Sequence, residues 1–251
     1  MSAPQNRSDI RQFIRAVVPR GMRQKIRQTT DSMRSTEAVF TEIYRKGIWG
    51  GGDALYSGTG SRGSAADRYV ATIQQFIKTN GVASVLDLGC GDFAIGQRIA
   101  QVCDTYIGAD IVKLVVDENT RRHANDKVSF RHLNIIDDAL PAADLVLVRQ
   151  VLQHLSNAQI GQILAKLRNY RFVIITEHYP DDVEFQAPNR DKVHGSGTRV
   201  TMGSAVCLDQ PPFSVRSQQL LLDMPGCTAG DQTGIDDPYA RGSIRTFLVR
   251  V

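Results

Sequence analysis

Two glycines stand directly behind a short apolar run, where they could hold a ligand. Residues 85–88 have the pattern of a buried strand, and Gly89 and Gly91 follow at once, ahead of a predicted helix. Glycine permits a tight turn and lets the backbone approach a ligand closely. With Ala94 in the last place, the spacing also fits the Gly-x-Gly-x-x-Gly/Ala fingerprint, which is a weak signal by itself. No Gly-Lys-Ser/Thr follows, which excludes a triphosphate-binding loop.

Acidic and amide side chains stand at the ends of the strands around this turn. Asp87 lies inside the first strand, where its carboxylate can receive a cofactor's amino group but would repel a pyrophosphate. Asp110 ends the next strand and can bind the two ribose hydroxyls that both NAD and S-adenosylmethionine present. Asn134 follows the third strand and can read an adenine amino group, with Ile111 and Ile135 on either side of the ring.

Short apolar runs alternate with amphipathic segments after residue 81, which predicts a parallel sheet with helices on both faces. The strand candidates span residues 84–88, 105–109, 128–133, 144–148, 172–176, 218–223 and 243–251. The helix candidates between them span residues 95–102, 112–124 and 157–169. The last two strands have no helix after them, and we expect an antiparallel pair at the sheet edge.

Helices and a glycine-rich loop precede this sheet. Apolar periodicity predicts a helix over residues 36–46, and Ser64-Ala65-Ala66-Asp67 predicts a capping box for a helix that ends before Gly81. The loop between them holds the only tryptophan, Trp49, which favours a lid or binding loop over a linker. We therefore expect an arm at 1–35, a helix and lid loop at 36–64, and a main domain at 65–251 with an insertion at about 179–212.

The motifs closely resemble those of class I S-adenosylmethionine-dependent methyltransferases. The resemblance rests on Asp87-Leu88-Gly89-Cys90-Gly91, Asp110, Asn134 and Asp144-Leu145-Val146-Leu147-Val148-Arg149. It extends to a bacterial subgroup resembling O-methyltransferases of glycans and small metabolites, at Trp49-Gly50, Ser57-Gly58-Thr59-Gly60-Ser61, Asn189-Arg190-Asp191 and Pro211-Pro212-Phe213. It covers about residues 40–250. It implies a Rossmann-like, doubly wound α/β fold whose seven-stranded sheet is mostly parallel with an antiparallel C-terminal strand, and S-adenosylmethionine as the cofactor. Gln150 departs from the acid expected after the arginine.

This resemblance places the carboxyl ends of the fourth and fifth strands beside the methyl donor. Those ends supply Arg149, His154 and His178, our candidates for catalysis. A hydroxyl acceptor needs a base, and histidine suits that task, although each histidine could equally be structural. Arg149 could bind the substrate, bind the cofactor carboxylate, or pair with Asp87. A magnesium site is conceivable, but no spacing demands one and none is predicted.

The lid loop and the insertion would complete the site. Trp49, Tyr56 and Ser61 are expected to shield the cofactor. The insertion carries four basic residues that would suit an acceptor bearing a phosphate or carboxylate, or else form a solvated surface loop: Arg190, Lys192, His194 and Arg199. We expect the acceptor to be a small molecule or glycan.

Charge is concentrated at the N-terminus. Residues 1–36 carry eight basic and two acidic residues, whereas the net charge of the whole chain is +4. The body of the protein is therefore slightly acidic, which argues against a nucleic-acid partner. Apolar residues from Ile10 to Val18 predict an amphipathic helix, which could rest on a membrane surface, pack on its own domain, or mediate self-association.

Other functions are less consistent with the sequence. The four cysteines form no Cys-x-x-Cys pair, and the chain opens without a leader pattern, so we expect a cytoplasmic protein with reduced thiols. An NAD-dependent oxidoreductase would share the glycine turn and the ribose acid but is disfavoured by Asp87. An inactive scaffold is disfavoured by the intact cofactor motif. Methylation of nitrogen is another alternative, although the Asn/Asp-Pro-Pro-Tyr/Phe signature is absent after the fourth strand.

Overall fold

The computed structural model describes residues 29–50, 55–226 and 242–251. The α-helices are α1 (Thr36–Arg45), α2 (Gly63–Asn80), α3 (Gly96–Ile99), α4 (Lys113–His123) and α5 (Asn157–Leu167). The strands are β1 (Ser84–Leu88), β2 (Thr105–Asp110), β3 (Val128–His132), β4 (Leu145–Arg149), β5 (Phe172–Tyr179), β6 (Ser217–Pro225) and β7 (Ser243–Arg250). Short 3₁₀ helices lie at Thr59–Ser61, Ala100–Val102, Leu152–His154 and Val200–Met202.

Seven strands form one sheet in the order β3-β2-β1-β4-β5-β7-β6. Strands β1 to β5 pair in parallel, and β7 lies antiparallel between β5 and β6. This confirms the predicted doubly wound sheet with its antiparallel C-terminal strands. From β1 the chain continues to β2 and β3 on one side of β1, and it then crosses to β4 on the opposite side of β1. Ligands of open α/β sheets bind beyond the carboxyl ends of the strands at such a reversal.

Alternating side chains of the central strands build two cores. Leu86 and Leu88 face the side covered by α1 and α5, whereas Val85 faces the side covered by α2. Successive side chains of a strand point to opposite faces, so Asp87 lies on the α2 face. Arg149 follows Leu147 by two residues and lies on that face as well. These two charged side chains therefore reach the same end of the sheet from neighbouring strands.

The structure corrects two local predictions. Helix α2 begins at Gly63, and the residue before it, Arg62, caps it without a side-chain hydrogen bond, so the capping box predicted at Ser64 is wrong. A complete capping box occurs instead at Ser156 and Gln159, at the start of α5. Strand β5 continues three residues past its predicted end at Thr176, because β7 pairs with it as far as Tyr179.

Two expectations concern other parts of the chain. The amphipathic helix expected near Ile10–Val18 lies outside the described residues, as does the middle of the predicted lid loop at 51–54.

Helix α1 packs Val39, Phe40 and Ile43 into the same core as the sheet. Among the described helices, none has the length and apolar character that crossing a membrane requires.

Candidate active site

The glycine turn after β1 depends on both of its glycines. Gly89 has φ +78° and Gly91 has φ +55°, in the left-handed region that glycine adopts without strain. A Cβ atom on Gly89 would collide with the side chain of Val151, and one on Gly91 would collide with the hydroxyl of Ser57. The backbone N–H of Gly89 donates to the carbonyl of Ala109 at 2.8 Å, which ties the turn to β2.

Two buried carboxylates border this turn. Asp110 accepts hydrogen bonds from the backbone N–H groups of Gly91 (3.1 Å) and Val112 (2.9 Å), and burial raises its pKa. Asp87 accepts a hydrogen bond from the hydroxyl of Tyr106 at 2.5 Å. Burial raises the pKa of Asp87 to about 6, while Tyr106 and the nearby Arg149 act in the opposite direction. Both acids are thus fixed in place and poorly hydrated.

A cavity of about 560 Å³ opens at the carboxyl ends of the strands. It brings together every predicted site residue except Tyr56, whose ring lies beside the guanidinium of Arg62 (5.4 Å to the ring centroid). The predicted residues in its wall are Trp49, Ser61, Asp87, Gly89, Gly91, Asp110, Ile111, Asn134, Ile135, Arg149, His154 and His178.

Asn134 contributes to the wall through a local turn. Its amide nitrogen donates to the carboxylate of Asp137 at 2.7 Å, and its amide oxygen accepts from the backbone N–H of Ile136 at 3.0 Å. The side chain is therefore held in a fixed conformation in the cavity wall, to which Ile111 and Ile135 also belong.

Ser57 connects the predicted lid loop to the glycine turn, a role that the sequence did not reveal. Its hydroxyl accepts from the backbone N–H of Asp92 at 2.6 Å and lies 3.0 Å from the hydroxyl of Tyr44. The backbone N–H of Ser57 donates to the carboxylate of Asp92 at 3.3 Å. Asn119 was likewise not predicted from the sequence, and its amide nitrogen donates to the carbonyl of Gly91 at 2.8 Å. These contacts join loop, helix α1 and turn around one end of the cavity.

Arg149 also contacts the loop that carries Ser57. Its guanidinium lies over the ring of Tyr69 at 4.9 Å from the centroid and donates to the carbonyl of Gly60. It also lies close enough to Asp87 to lower the pKa of that carboxyl group. Of the roles considered for Arg149, the geometry favours pairing with Asp87, and the bond to Gly60 adds a contact with the loop that was not predicted.

His154 lies in the cavity wall, on the 3₁₀ helix that follows β4. Its Nδ1 is 3.2 Å from the carbonyl oxygen of Gly195, and its ring packs against Trp49 at 5.2 Å between centroids. Burial and the nearby Lys192 lower the pKa of His154 to about 3, although the carbonyls of Gly195 and Gly197 act in the opposite direction. The imidazole is therefore neutral near pH 7. A carbonyl oxygen only accepts, so Nδ1 carries the proton and Nε2 has the free lone pair.

His178 reaches the cavity from a different direction. It belongs to β5 rather than to a loop after it, and it pairs with Ile244 of β7. Strand alternation places it on the face of Ile174, the face that also carries Asp87 and Arg149. The two candidate bases thus enter the cavity from separate elements, with His178 nearer to the cofactor acids.

Glu177 positions the turn that carries His154. Its carboxylate oxygens accept from the backbone N–H groups of Leu152 (2.8 Å) and Gln153 (3.1 Å), and the side chain is 2% exposed. Burial raises the pKa of Glu177 to about 8.

We expect Glu177→Ala to lower the free energy of unfolding by about 2–4 kcal/mol, because two buried N–H groups lose their acceptor. Turnover should fall while cofactor affinity stays within about threefold, since the turn lies away from Asp110. Denaturant unfolding and calorimetric titration measure these quantities. Glu177→Gln keeps one acceptor oxygen and should lose about half as much stability. Equal stability of Glu177→Ala and the wild type would refute this role.

The basic residues of the insertion make contacts within the protein. Arg199 is 0% exposed and donates to the carbonyls of Arg190 and Leu155, while Lys192 donates to the carbonyl of His154 at 3.2 Å. Arg190 donates to the carbonyl of Met202 at 2.8 Å. His194 lies 3.4 Å from the amide of Gln159. The expectation of a phosphate or carboxylate partner for this group gains no support, because the four side chains bind protein groups and lie outside the cavity wall. Within the described part of the chain, no cluster of three or more histidine, cysteine, aspartate or glutamate side chains could hold a metal ion.

Comparison with known proteins agrees with this geometry. Residues 86–170, about a third of the chain, match the model of the methyltransferase domain family. The fold is similar to that of the N-methyltransferase NodS from Bradyrhizobium japonicum WM9, solved with S-adenosyl-L-homocysteine. That likeness has a TM-score of 0.50 and 13% identity, over 74% of this chain and 88% of that one. A SAM-dependent methyltransferase from Leishmania major gives a TM-score of 0.53 and 14% identity, over 86% of this chain and 84% of that one. At such identities the likeness concerns the fold alone.

No curated protein matches the chain in sequence. The matched segment runs from β1 to just beyond α5 and includes the glycine turn, Asp87 and Asp110. The segment that carries the cofactor motif therefore matches a methyltransferase domain, and the sheet has the Rossmann-like fold of S-adenosylmethionine-dependent methyltransferases.

Proposed function

We propose that the protein transfers the methyl group of S-adenosylmethionine to a hydroxyl oxygen of a small molecule or glycan. The observation that carries this proposal is the position of His154 in the cavity wall, where its Nδ1 lies 3.2 Å from the carbonyl oxygen of Gly195. Its lowered pKa makes the imidazole a weak base, so Nε2 would take the hydroxyl proton once the new carbon–oxygen bond makes that proton acidic.

The cofactor would occupy the end of the cavity that holds the acids. Asp110 has lone pairs left for ribose hydroxyls besides those that accept from Gly91 and Val112. Ile111 and Ile135 would enclose the adenine, and Asp87 would receive the ammonium group of the methionine part. Trp49 would border the cofactor from above, since it packs between Tyr44 and His154.

The charge distribution supports a neutral acceptor over an ammonium group. The described carboxylates that line the cavity are Asp87, Asp92 and Asp110, and all three border the glycine turn. The cavity-lining side chains of Gln153, which precedes His154, and of Ser196 and Thr198, in the segment bonded to it, are neutral. The cation Lys192 donates to the carbonyl of His154. A protonated amine beside His154 would be desolvated without a counter-charge, which costs free energy.

The residues of the site would act mainly by positioning. Bound S-adenosylmethionine supplies an already activated methyl group. Trp49 and Phe40 would exclude water from the reacting atoms. Nε2 of His154 would orient the acceptor hydroxyl and take its proton as the new carbon–oxygen bond forms. The 3₁₀ helix, held by Glu177, would keep His154 in register with the cofactor.

This proposal is tested by identifying the atom of the acceptor to which the methyl group is transferred. The protein is incubated with S-adenosylmethionine carrying an isotopically labelled methyl group and with panels of sugars, phenols and amines. Products are located by NMR. We expect the wild-type protein to form methyl ethers and the Asp110→Ala variant to form none. Products methylated only at nitrogen would refute the choice of oxygen and leave the methyltransferase assignment in place.

We expect the affinity for S-adenosylmethionine to fall as the pH drops below about 6. Burial raises the pKa of Asp87 to about 6. Above this pH the ionised carboxylate attracts the ammonium group, and below it protonation removes that attraction. The dissociation constant should rise by up to about tenfold per pH unit. Calorimetric titrations between about pH 5 and pH 8 measure it. Asp87→Asn should bind weakly at every pH, and a wild-type affinity that is constant through this range would contradict the role of Asp87.

A further inference from the structure

Two side chains in the cavity wall hold a buried oxygen without a hydrogen-bond partner among the described residues. The atoms are Oε1 of Gln153 and Oγ1 of Thr198, in side chains that belong to residues 4% and 7% exposed. Nε2 of Gln153 donates a hydrogen bond to the carbonyl oxygen of Gln150 at 3.4 Å. The other atom of the amide, Oε1, therefore points away from Gln150. Buried polar atoms are nearly always paired, so two such oxygens in one cavity indicate a ligand that pairs them.

The two oxygens belong to adjacent segments on either side of His154. The backbone N–H of Gly195 donates to the carbonyl of His154 at 3.0 Å, and the guanidinium of Arg199 donates to the carbonyl of Leu155 at 2.8 Å. These bonds pin residues 195–199 alongside the 3₁₀ helix that carries Gln153. Ser196 lines the cavity between the two pinned points. Gln153, Ser196 and Thr198 therefore lie on two segments that are bonded to each other at His154 and Leu155.

The chemistry of these atoms restricts what they bind. An amide oxygen only accepts, so the ligand must donate to Gln153, whereas the hydroxyl of Thr198 can donate or accept. A molecule with a single hydroxyl would satisfy His154 and leave both oxygens unpaired. An anionic group would find the basic residues of the insertion already bound to carbonyls. A ligand with several neighbouring neutral hydroxyls pairs all three groups, and the rings of Trp49 and Phe40 offer apolar surface for its C–H groups.

We propose that Gln153 and Thr198 form the acceptor subsite and bind the hydroxyls of a neutral sugar ring next to the hydroxyl that is methylated. The proposal rests on the proposed function and narrows its acceptor to uncharged carbohydrate. Gln153 and Thr198 would determine specificity, and His154 would take the proton.

The first test uses the ligand-free protein and requires no substrate. Thr198→Val and Gln153→Leu replace the unpartnered oxygens by apolar groups of similar size. Because no bond is lost, the melting temperature should stay the same or rise. The matched controls are Thr176→Val, which removes a hydrogen bond to Thr246 (3.0 Å), and Gln159→Leu, which removes the bond to Thr36 (3.0 Å) together with the capping box of α5. These should melt roughly 2–8 °C lower. Equal destabilisation of Thr198→Val and Thr176→Val would overturn the proposal.

The second test measures sugar binding. The protein is saturated with S-adenosylhomocysteine and titrated with D-glucose, D-mannose, L-rhamnose and N-acetyl-D-glucosamine, each followed by saturation-transfer NMR. We expect at least one sugar to bind the wild type, and its affinity to fall about threefold to tenfold in Thr198→Val and in Gln153→Leu. The affinity for S-adenosylhomocysteine should not change in either variant.

The outcomes separate this inference from the proposed function. Absence of any sugar binding, or equal binding by wild type and both variants, overturns the subsite. If methyl transfer to a phenolic oxygen is then found, the proposed function stands and the sugar assignment falls. If transfer occurs only to nitrogen, the proposed function falls, and the melting temperatures of the two variants still decide whether their oxygens are unpaired in the free protein.

Discussion

Asp110→Ala should weaken the binding of S-adenosylmethionine by about 100-fold or more. The carboxylate of Asp110 is buried at the end of β2, and it is the acid best placed to accept both ribose hydroxyls. Two hydrogen bonds to an ionised acceptor account for a loss of that size. Titration calorimetry with S-adenosylmethionine and S-adenosylhomocysteine gives the two affinities directly.

The substitution also removes an acceptor from the backbone of Gly91 and Val112, so a loss of structure must be separated from a loss of binding. Asp110→Asn retains an acceptor oxygen and similar volume, and it should bind with intermediate affinity. Circular dichroism of both variants should show the wild-type helix and strand content. A folded Asp110→Ala that binds as tightly as the wild type would show that the ribose lies elsewhere.

His154→Asn should lower turnover by about 10²–10⁴-fold, with cofactor affinity nearly unchanged. An asparagine amide can still donate to the carbonyl of Gly195, as Nδ1 does at 3.2 Å, but it offers no lone pair at the position of Nε2. The substitution therefore removes the base and keeps the local hydrogen bond. Single-turnover methyl transfer, measured with saturating cofactor, reports this step.

The pH profile distinguishes a base from a purely structural histidine. Burial lowers the pKa of His154 to about 3, so the ring is unprotonated from about pH 5 upwards. The wild-type rate should therefore show no step at the usual pKa of histidine. His123→Asn is a matched control, because His123 packs against Phe93 away from the cavity wall. Wild-type turnover in His154→Asn would assign proton removal to another group.

The strand and the turn that carry the predicted cofactor residues could be predicted because their signals are local. The apolar run of β1 and the glycines behind it lie within a few residues of each other, and β1 begins and ends where predicted. Asp110 marks the end of the next parallel strand, and parallel strands end at one edge of a sheet. The cavity accordingly contains Asp87, Gly89 and Asp110 together.

Residues whose roles depend on distant contacts could not be found in this way. Ser57 contacts Asp92 from 35 positions away, and Glu177 binds the backbone of Leu152 from 25 positions away. Neither spacing follows a helix or strand period. The contacts of the basic residues of the insertion were missed for the same reason, because composition does not reveal that Arg199 turns inward to satisfy carbonyl groups.

The extent of β5 and the start of α2 also depended on tertiary structure. Glu177 and His178 became strand residues because β7 pairs beyond Thr176. Local propensity favoured Ser64 as a helix cap, yet Gly63 with φ +74° is already the first helical residue. Tyr56 was expected at the cofactor because of its loop, but its ring lies against Gly50 and Arg62.

A calorimetric titration of the wild-type protein with S-adenosylmethionine, S-adenosylhomocysteine and NAD would identify the cofactor. We expect the first two to bind with micromolar affinity, one molecule per chain, and NAD not to bind. A well-folded protein that binds NAD and neither of the other two would contradict this expectation, since the cavity around Asp87 and Asp110 would then serve a different cofactor.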